Sequence, residues 1–449
     1  MIAKHPLAKF LGLLLASTLG MSNPPPNVVF IMADDMGYGD LGSYGATDAR
    51  TPHLDRLARE GVRFTQFYSN GTECSPTRTA LFSGQYQQRI GGLECAIGVG
   101  NVGRYDDAIR LAGDSQLGLP VKDNVLLAGF RSQGYESVML GKWHLGYERY
   151  FSPLSHGFDR WFGIIGGNSD YFHYVEEDGF YALQENDEIT QASGHVTDLI
   201  ADRAVSYLNA QTPSRPFFLY LPFTAPHTPI QGPDDYALQP VAREVWNKGT
   251  RAGYVAMVEQ LDQAVGMILD TLETAGLAEN TLVIFKSDNG GTRLSRNDPF
   301  SGGKGTTWEG GIRVPCIVRW PGHIRPGTTS HQTAISMDLS YSIRRIIGAT
   351  DHVLPSDGVD IIEHITQENP DFSRTLFWRG KRGDRVWRAV REGHMKYMSL
   401  TQTDKFVENV FDLSADPAEK TNLTHDRPQL ATRLKKLLKD WELDVVARR

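Results

Sequence analysis

Residues 27–40 read NVVFIMADDMGYGD, an apolar run that ends abruptly at two adjacent carboxylates. A continuous apolar run such as 27–32 is typical of a strand that is buried on both faces, as in a parallel sheet. Open parallel sheets bind their ligands at the carboxyl ends of the strands. The stretch therefore predicts a central strand that delivers Asp34 and Asp35 to a site at the edge of a sheet.

Three further apolar runs, 136–140, 216–221 and 281–285, also end in polar residues that suit a binding site. Lys142 and His144 follow the first run, His227 follows the second, and Asp288 and Asn289 follow the third. Because the carboxyl ends of parallel strands meet at one edge of a sheet, we expect all four groups to form a single site.

Helical patterns separate these runs, at residues 51–61, 195–211 and 254–276. This alternation predicts an α/β fold, with a large mixed, mainly parallel sheet sandwiched by helices. Beyond residue 350, three short strand patterns, at residues 375–380, 386–393 and 394–400, precede a helical pattern at 428–445, which favours a smaller α+β unit with an antiparallel sheet. We therefore expect a catalytic domain over residues 27–350 and a C-terminal subdomain over residues 351–449.

The 449 residues carry a formal net charge of −7, so no basic excess suggests nucleic acid or an anionic membrane as a partner. The chain begins differently, with Lys4 and Lys9 before an uncharged apolar run over 10–21 and the three prolines 24–26. That order predicts a signal peptide over residues 1–22 and a secreted or periplasmic protein. The apolar run is too short to span a bilayer, so no membrane span is expected.

Only three cysteines are present, Cys74, Cys95 and Cys316, which is not the composition of a disulfide framework. Cys74 lies in CSPTR, where Pro76 suits a first helical turn and Arg78 returns to the same helix face as the cysteine. A helix start and a guanidinium predict a reactive thiol with a lowered pKa. An inert buried cysteine is the competing interpretation, and the stretch alone leaves both open.

The predicted site combines two kinds of side chain. One set offers only oxygen ligands, which suit a hard cation such as Ca²⁺: Asp34, Asp35, Asp288 and Asn289. The other set is cationic or can become so: Arg78, Lys142, His144, His227 and Lys304. Lys304 lies in a Gly-rich stretch (301–315) that lacks the Walker pattern. A net-acidic protein that gathers such cations is suited to holding an anion, and the whole set indicates hydrolysis of an anionic ester.

Taken together, these stretches resemble a type I sulfatase of the alkaline phosphatase superfamily. The residues that carry the resemblance are NVVFIMADDMGYGDLGSYG, CSPTRTALFSG, GKWHLG, APHTPI, SDNGG and GGKGTTWEGGIRVP, in family order from residue 27 to 315. VFDLSADPAEKTNL resembles the family's C-terminal segment. The resemblance implies an alkaline-phosphatase-like fold.

The resemblance also implies a cofactor made from the chain itself. In the family, a maturation enzyme that reads C-x-P-x-R oxidises the cysteine to Cα-formylglycine, whose hydrate is the nucleophile. Carried over, Cys74 is the converted residue, and its hydrate would contact the calcium. Thr77 stands where the family commonly has Ser, which keeps a hydroxyl.

Further roles follow from the resemblance alone. The calcium ligands would be Asp34, Asp35, Asp288 and Asn289, with an oxygen of the modified Cys74. Three cationic groups would hold the hydrate: Arg78, Lys142 and His144. His227 and Lys304 would bind the sulfate and help to protonate the leaving alcohol.

Two other functions use the same residues. A phosphatase or phosphonate monoester hydrolase of the same superfamily would share much of the scaffold, although phosphate commonly recruits two metals and only one oxygen-ligand set is visible. A calcium-stabilised glycan-binding protein without catalysis would leave the cysteine unmodified. The retained catalytic positions favour the sulfatase.

Substrate specificity is expected in three loops around the anion site, at residues 90–120, 166–174 and 292–300. An exported sulfatase with aromatic and arginine-bearing loops indicates a sulfated polysaccharide or oligosaccharide. The candidate substrate-binding residues are Asp170, Tyr171, His173, Arg293 and Arg296.

Overall fold

The computed structural model describes residues 24–98, 105–213, 215–349 and 356–447. The predicted signal peptide lies outside the described residues. The described strands are β1 (Asn27–Ala33), β2 (Val62–Phe64), β3 (Phe67–Tyr68), β4 (Glu136–Leu140), β5 (Arg160–Ile164), β6 (Leu183–Glu185), β7 (Glu188–Ile189), β8 (Phe217–Pro222), β9 (Thr281–Ser287), β10 (Cys316–Arg319), β11 (Thr328–Ser330), β12 (Ala334–Ile335), β13 (Thr375–Arg382), β14 (Arg385–Glu392), β15 (Met395–Gln402) and β16 (Lys405–Asp412).

The described α-helices are α1 (Pro52–Glu60), α2 (Cys74–Ser83), α3 (Asp106–Gly113), α4 (Val125–Ser132), α5 (Pro153–His156), α6 (Val196–Asn209), α7 (Arg251–Thr274), α8 (Glu309–Ile312), α9 (Ser336–Ile346), α10 (Ile361–Thr366) and α11 (Pro428–Ala447). The predicted helices at 51–61, 195–211, 254–276 and 428–445 correspond to α1, α6, α7 and α11, with small differences at the ends.

The large sheet has the strand order β11-β2-β10-β9-β1-β8-β4-β5-β6-β7. Its centre, β9-β1-β8-β4-β5, is parallel throughout, and the flanking strands β10 and β6 pair antiparallel with that centre. The four strands expected from the sequence, β1, β4, β8 and β9, are neighbours in this parallel centre. The mixed, mainly parallel sheet is therefore confirmed.

Helices cover both faces of this sheet. Phe218 and Tyr220 of β8 contact rings of Phe130 in α4 and Phe82 in α2. Phe217, the residue directly before Phe218, instead packs edge-on against Tyr207 of α6. Since successive residues of a strand point to opposite faces, α6 lies on the other side from α2 and α4.

The smaller sheet is an antiparallel meander, β13-β14-β15-β16, against which α11 packs. This confirms the antiparallel C-terminal unit, although β16 was not expected. Trp378 of β13 is buried against the Tyr68 ring and donates from Nε1 to the Ser69 carbonyl at 2.8 Å, so the smaller sheet shares an apolar cluster with β3, which pairs with β12 in a separate two-stranded sheet. The division into domains at residue 350 stays a prediction.

Within the described part of the chain, no helix has both the length and the apolar character that a membrane crossing requires.

Candidate active site

The polar residues that follow the four central strands meet at the floor of one cleft of about 740 Å³. The cleft wall includes Asp35 after β1, His144 after β4 and His227 after β8, together with Cys74 and Lys304. Asp34, Lys142 and Asp288 lie directly beneath that floor and are fully buried. The sequence prediction that these groups converge at one sheet edge is thus realised in the structure.

Cys74 is the first residue of α2, and Glu73 is the N-cap. Its Sγ lies 3.2 Å from Asp34 Oδ1 and 3.5 Å from Lys304 Nζ. Lys142 Nζ forms a hydrogen-bonded ion pair with the other oxygen of Asp34. Although burial raises the pKa of Asp34, the attraction of Lys142 and His227 lowers it below its ordinary value.

Arg78 is fully buried one helical turn after Cys74. Its guanidinium donates to Asp288 Oδ2 at 3.0 Å and to the Lys142 carbonyl at 2.8 Å. The arginine therefore ties α2 to the ends of both β9 and β4. The guanidinium also lies 3.8 Å from Asp34.

Asp35 collects the second group of contacts. Lys304 Nζ lies 2.8 Å from its Oδ1, and Asn289 Nδ2 donates to the same oxygen at 2.7 Å. Asp35 has a φ of 62° and His144 has a φ of 60°, a left-handed conformation that is unusual for residues with a side chain. Such backbone strain clusters at functional sites, where the surrounding structure holds it in place.

The two histidines are held differently. His227 Nδ1 lies 2.6 Å from the Thr228 carbonyl and donates to it, which leaves Nε2 toward Lys304 Nζ at 3.1 Å and Asp35 Oδ2 at 3.4 Å. Burial and Lys304 lower the pKa of His227 in spite of Asp35. His144 Nε2 donates to the Ile97 carbonyl, and burial and Lys142 lower the pKa of His144 well below its ordinary value.

The expectation of a lowered pKa at Cys74 is wrong for the thiol in this structure. Burial raises the pKa of the thiol well above its ordinary value, and the carboxylates of Asp288 and Asp34 raise it further. Lys142 and Lys304 act in the opposite direction but do not compensate. Sequence reasoning counted the helix start and Arg78 but not the carboxylates that other strands bring to the sulfur.

The donor set fits a hard cation. Potential ligand atoms of Asp34, Asp35, Cys74 and His227 all lie within 4.8 Å of one another. Asn289 Oδ1 is buried and has no hydrogen-bond partner among the described residues, which is the state expected of an oxygen that a cation would satisfy. Asp288 Oδ1 already accepts from the backbone N–H groups of Asp35 and Asn289, so its role as a ligand stays a prediction.

Two predicted substrate-binding residues lie beneath the cleft instead of on its wall. Asp170 is fully buried, and its oxygens accept from the backbone N–H groups of Phe172, His173 and Val241. Tyr171 donates its hydroxyl to the carbonyls of Thr224 and His227, at 2.8 and 2.9 Å. Both residues organise the loops around His227, and neither presents a free polar group to the cleft.

The other three candidates differ in where they lie relative to the cleft. Arg293 lies on the cleft wall, is exposed, and forms no ion pair with the described residues. Arg296 lies away from the cleft wall and pairs with Asp48 at 3.4 Å. His173 contacts the Ala237 carbonyl through Nε2 at 2.8 Å. Of the five candidates, the structure brings only Arg293 to the cleft.

The cleft contains residues that the sequence analysis missed. Tyr147 and Glu176 form one wall, and Arg382, at the end of β13, reaches the rim and pairs with Glu73 at 2.9 Å. The only sequence signal for Glu176 is the acidic turn EEDG at residues 176–179. This pattern does not reveal which groups the Glu176 side chain faces. Arg382 belongs to the C-terminal sheet, whose approach to the site no local pattern indicates.

The loop that carries Lys304 is anchored by the C-terminal sheet. Glu309, at the start of α8, receives Lys396 of β15 at 2.8 Å, and the same ammonium lies 2.8 Å from Glu419. The backbone N–H of Glu309 donates to Glu419 at 2.6 Å. Glu309 and Lys396 are fully buried, and burial raises the pKa of Glu419 to about 7 although Lys396 lowers it.

Comparison with known proteins agrees with this geometry. The family model described as Sulfatase matches residues 26–349. Among curated proteins, the chain is 33% identical over 424 residues to N-acetylgalactosamine-6-sulfatase of Rattus norvegicus, covering 90% of this chain and 76% of that protein. It is 34% identical over 463 residues to arylsulfatase A of Homo sapiens, covering 94% of this chain and 84% of that protein.

Comparison with solved structures supports the fold. The structure of Ps i-CgsB in complex with k-i-k-neocarrahexaose matches with a TM-score of 0.80 and 27% identity, covering 94% of this chain and 93% of that chain. The phosphonate monoester hydrolase of Agrobacterium radiobacter matches with a TM-score of 0.64 and 20% identity, covering 94% of this chain and 96% of that chain, which is a likeness of fold alone.

Proposed function

This chain belongs to the sulfatase family, sulfuric ester hydrolases of type I in the alkaline phosphatase superfamily, and we propose that it releases inorganic sulfate from a sulfated carbohydrate. The observation that carries the proposal is the position of Cys74. The sulfur lies at the floor of a wide cleft, between a carboxylate at 3.2 Å and an ammonium at 3.5 Å.

We propose that Cys74 is converted to Cα-formylglycine by a maturation enzyme that reads residues 74–78. The surroundings fit that group, because Asp34 and Lys304 are strong hydrogen-bonding partners that a thiol uses poorly and the oxygens of a hydrated aldehyde would use well. When present, the hydrated aldehyde supplies the nucleophile for attack on sulfur.

We propose that a calcium ion binds beside it. Asp34, Asp35 and Asn289 would hold the ion, and Asp288 is proposed as a further ligand that would have to exchange its present hydrogen bonds. The ion supplies charge stabilisation for oxygens of the sulfate group. Lys142 and Lys304 form ion pairs with Asp34 and Asp35 in the same cluster.

The cations of the chain position the anionic ester. Lys142 and Arg78 hold Asp34 and Asp288 from beneath, so these two cations stabilise the negative charge of the floor. Lys304 reaches the cleft and faces both Cys74 and His227, where its ammonium can bind a sulfate oxygen. A preformed set of donors of this kind stabilises charge that develops on the sulfate during the reaction.

His227 is suited to donate a proton to the leaving alcohol. Its Nδ1–H is fixed on the Thr228 carbonyl, so Nε2 is the nitrogen that faces the cleft and carries the exchangeable proton. Lys304 and Asp35 contact that same nitrogen and set how readily it binds the proton.

A carbohydrate substrate is supported by the cleft and by the relatives. A cleft of about 740 Å³ is within the range of small-molecule sites and has room for more than a sulfate group. N-acetylgalactosamine-6-sulfatases match most of the chain, and a carrageenan oligosaccharide occupies a protein of the same fold. Arg293 on the rim is placed to contact a second anionic group of such a substrate.

The proposal is tested by measuring released sulfate and released phosphate in parallel. The protein is produced with a formylglycine-generating enzyme, and mass spectrometry confirms the aldehyde at residue 74. The substrates are 4-nitrophenyl sulfate, 4-nitrophenyl phosphate, N-acetylgalactosamine 6-sulfate, D-glucosamine 6-sulfate and a carrageenan oligosaccharide.

We expect sulfate release from at least one carbohydrate and its loss in Cys74→Ala. Preferential release of phosphate would assign the protein to the phosphatase branch of the superfamily instead. Absence of turnover on every substrate, with the aldehyde confirmed, would contradict a catalytic role and favour glycan binding.

A further inference from the structure

Glu176 is a buried carboxyl group on the wall of the cleft. Only 6% of the residue is exposed, yet it lines the cavity beside the reacting centre. No lysine, arginine or histidine of the described residues lies within ion-pair distance of it. A buried carboxyl group normally has a cation or several hydrogen-bond donors, so its surroundings are incomplete without a ligand.

The carboxyl group is nevertheless fixed in position. The Tyr147 hydroxyl lies 3.0 Å from both oxygens of Glu176 and receives a hydrogen bond from the Gly167 N–H at 3.3 Å. The Tyr147 ring packs edge-on against Phe180. The backbone N–H of Glu176 donates to the Phe180 carbonyl, so a short hairpin holds the residue on the wall.

Two consecutive glycines place Glu176 near the reacting atoms. A Cβ on Gly166 would lie 1.5 Å from Glu176 Oε1, and a Cβ on Gly167 would lie 2.6 Å from His144 Nε2. Since adjacent Cα atoms are about 3.8 Å apart, the carboxyl group and His144 are separated by no more than about 11 Å. Glu176 is thus within reach of the sugar that carries the ester.

The chemistry of this wall favours a ligand group that is uncharged and forms hydrogen bonds, such as a sugar hydroxyl. A carboxyl group offers about four acceptor positions when it is ionised, and the described residues fill only part of them, through the Tyr147 hydroxyl and the Gly167 backbone N–H. Among the described residues, the cation on this wall, Arg243, already pairs with Glu177 at 3.7 Å, which leaves no unpaired cation beside Glu176 for a second sulfate. Burial raises the pKa of Glu176 to about 8 although Tyr147 lowers it, so at neutral pH the carboxyl group is mostly protonated and can donate to a sugar hydroxyl as well as accept from it.

We propose that Glu176, positioned by Tyr147, determines specificity by hydrogen-bonding the free hydroxyl group next to the sulfate ester on the substrate sugar. This inference rests on the proposed sulfatase function and deepens it. A site that is built to bond a hydroxyl rejects the analogue without it, because the buried polar group is then left unpaired.

The test compares pairs of substrates that differ only in that hydroxyl. The probes are N-acetylgalactosamine 6-sulfate and D-glucosamine 6-sulfate, each with its 4-deoxy analogue, and 4-nitrophenyl sulfate reports catalytic competence. For the aldehyde-bearing protein we expect kcat/KM to fall by about 10²-fold or more from parent to deoxy sugar. In Glu176→Leu, which removes the hydrogen-bonding group and keeps a similar size, the ratio should shrink to less than about tenfold, because the parent sugar loses more than its analogue.

Tyr147→Phe keeps the ring against Phe180 and removes the hydroxyl, so the ratio should shrink in the same direction even if Glu176→Leu does not fold. Glu188→Gln changes an exposed glutamate outside the cleft and should leave the ratio unchanged. A ratio that is the same in all four proteins would overturn the inference. Hydrolysis of 4-nitrophenyl sulfate without hydrolysis of either sugar would also overturn it, whereas absence of turnover on the aryl ester as well would instead contradict the proposed function.

Discussion

His227 presents one nitrogen to the cleft and has the other fixed on the backbone, so its chemistry depends on the contacts of Nε2. Lys304 disfavours a proton on that nitrogen, and Asp35 favours it. Burial adds to the effect of Lys304, and the pKa of His227 falls below its ordinary value of 6.5. A general acid must be protonated to act, which sets the pH range in which the histidine can help the leaving group.

His227→Gln should lower kcat/KM on a sulfated sugar by about 10²- to 10⁴-fold, and by much less on 4-nitrophenyl sulfate. The difference arises because nitrophenolate leaves without a proton, whereas a sugar alkoxide does not. In the unsubstituted protein, kcat/KM on the sugar should fall as the pH rises through a midpoint below 6.5. The glutamine variant should lack this decline, and equal losses on both substrates would argue against proton donation by His227.

At the same scale, the sequence predicts side chains that directly follow a strand better than side chains in loops. Asp35, His144 and His227 meet because the parallel sheet fixes where its strands end. Asp170 and Tyr171 were expected at the substrate, but backbone groups of distant loops occupy their polar atoms. Glu176 was missed because its partner Tyr147 is remote in sequence and no local pattern pairs them.

At the scale of elements, the C-terminal sheet stabilises the Gly-rich stretch around Lys304. The stretch leads into α8, whose Glu309 is bound by Lys396 from β15. A single buried ammonium thereby serves two carboxyl groups, since Glu419 also contacts it. The catalytic loop and the smaller sheet are coupled through this contact.

Lys396→Met should lower the free energy of unfolding by about 3–5 kcal/mol, because Glu419 then loses its cation and the fully buried Glu309 keeps only its ion pair with Arg313. Urea unfolding followed by circular dichroism measures this loss. The matched control is Lys420→Met, an exposed lysine whose replacement should change stability by no more than about 0.5 kcal/mol. A loss of less than about 1 kcal/mol in the Lys396 variant would show that the buried ion pair contributes little.

The smaller sheet also shows which elements the sequence reveals. β13 to β15 were expected, whereas β16 was not, since its exposed start KFVE lacks a continuous apolar run. Its pairing with β15 is set by register across a tight turn at residues 403–404 and not by its own composition. Edge strands of this kind are poorly marked because one side of the ladder faces no partner.

At the scale of the whole molecule, the apolar cluster beneath the smaller sheet is shared between distant parts of the chain. Tyr68 and Ile312 come from the region of the large sheet, and Trp378 and Leu434 come from the C-terminal unit. Arg382 of the smaller sheet also closes the rim of the cleft. The smaller sheet therefore packs against β3 and α8, and it also contributes to the cleft.

We expect the protein to unfold in a single transition, with circular dichroism and sulfatase activity lost at the same denaturant concentration. Trp378→Ala should shift both signals together, by a loss of about 3–5 kcal/mol, because it opens a cavity between the sheets. Two separated transitions, with the smaller sheet lost first while activity persists, would contradict this coupling.

The burial of α2 has a consequence for the order of events in biosynthesis. Cys74 is 1% exposed, and Ser75, Thr77 and Arg78 are fully buried. No second protein can read these residues as an extended peptide once the chain has folded. The proposed conversion of Cys74 must therefore precede closure of the sheet around α2, and a chain that folds before conversion would be a stable protein that lacks the proposed nucleophile.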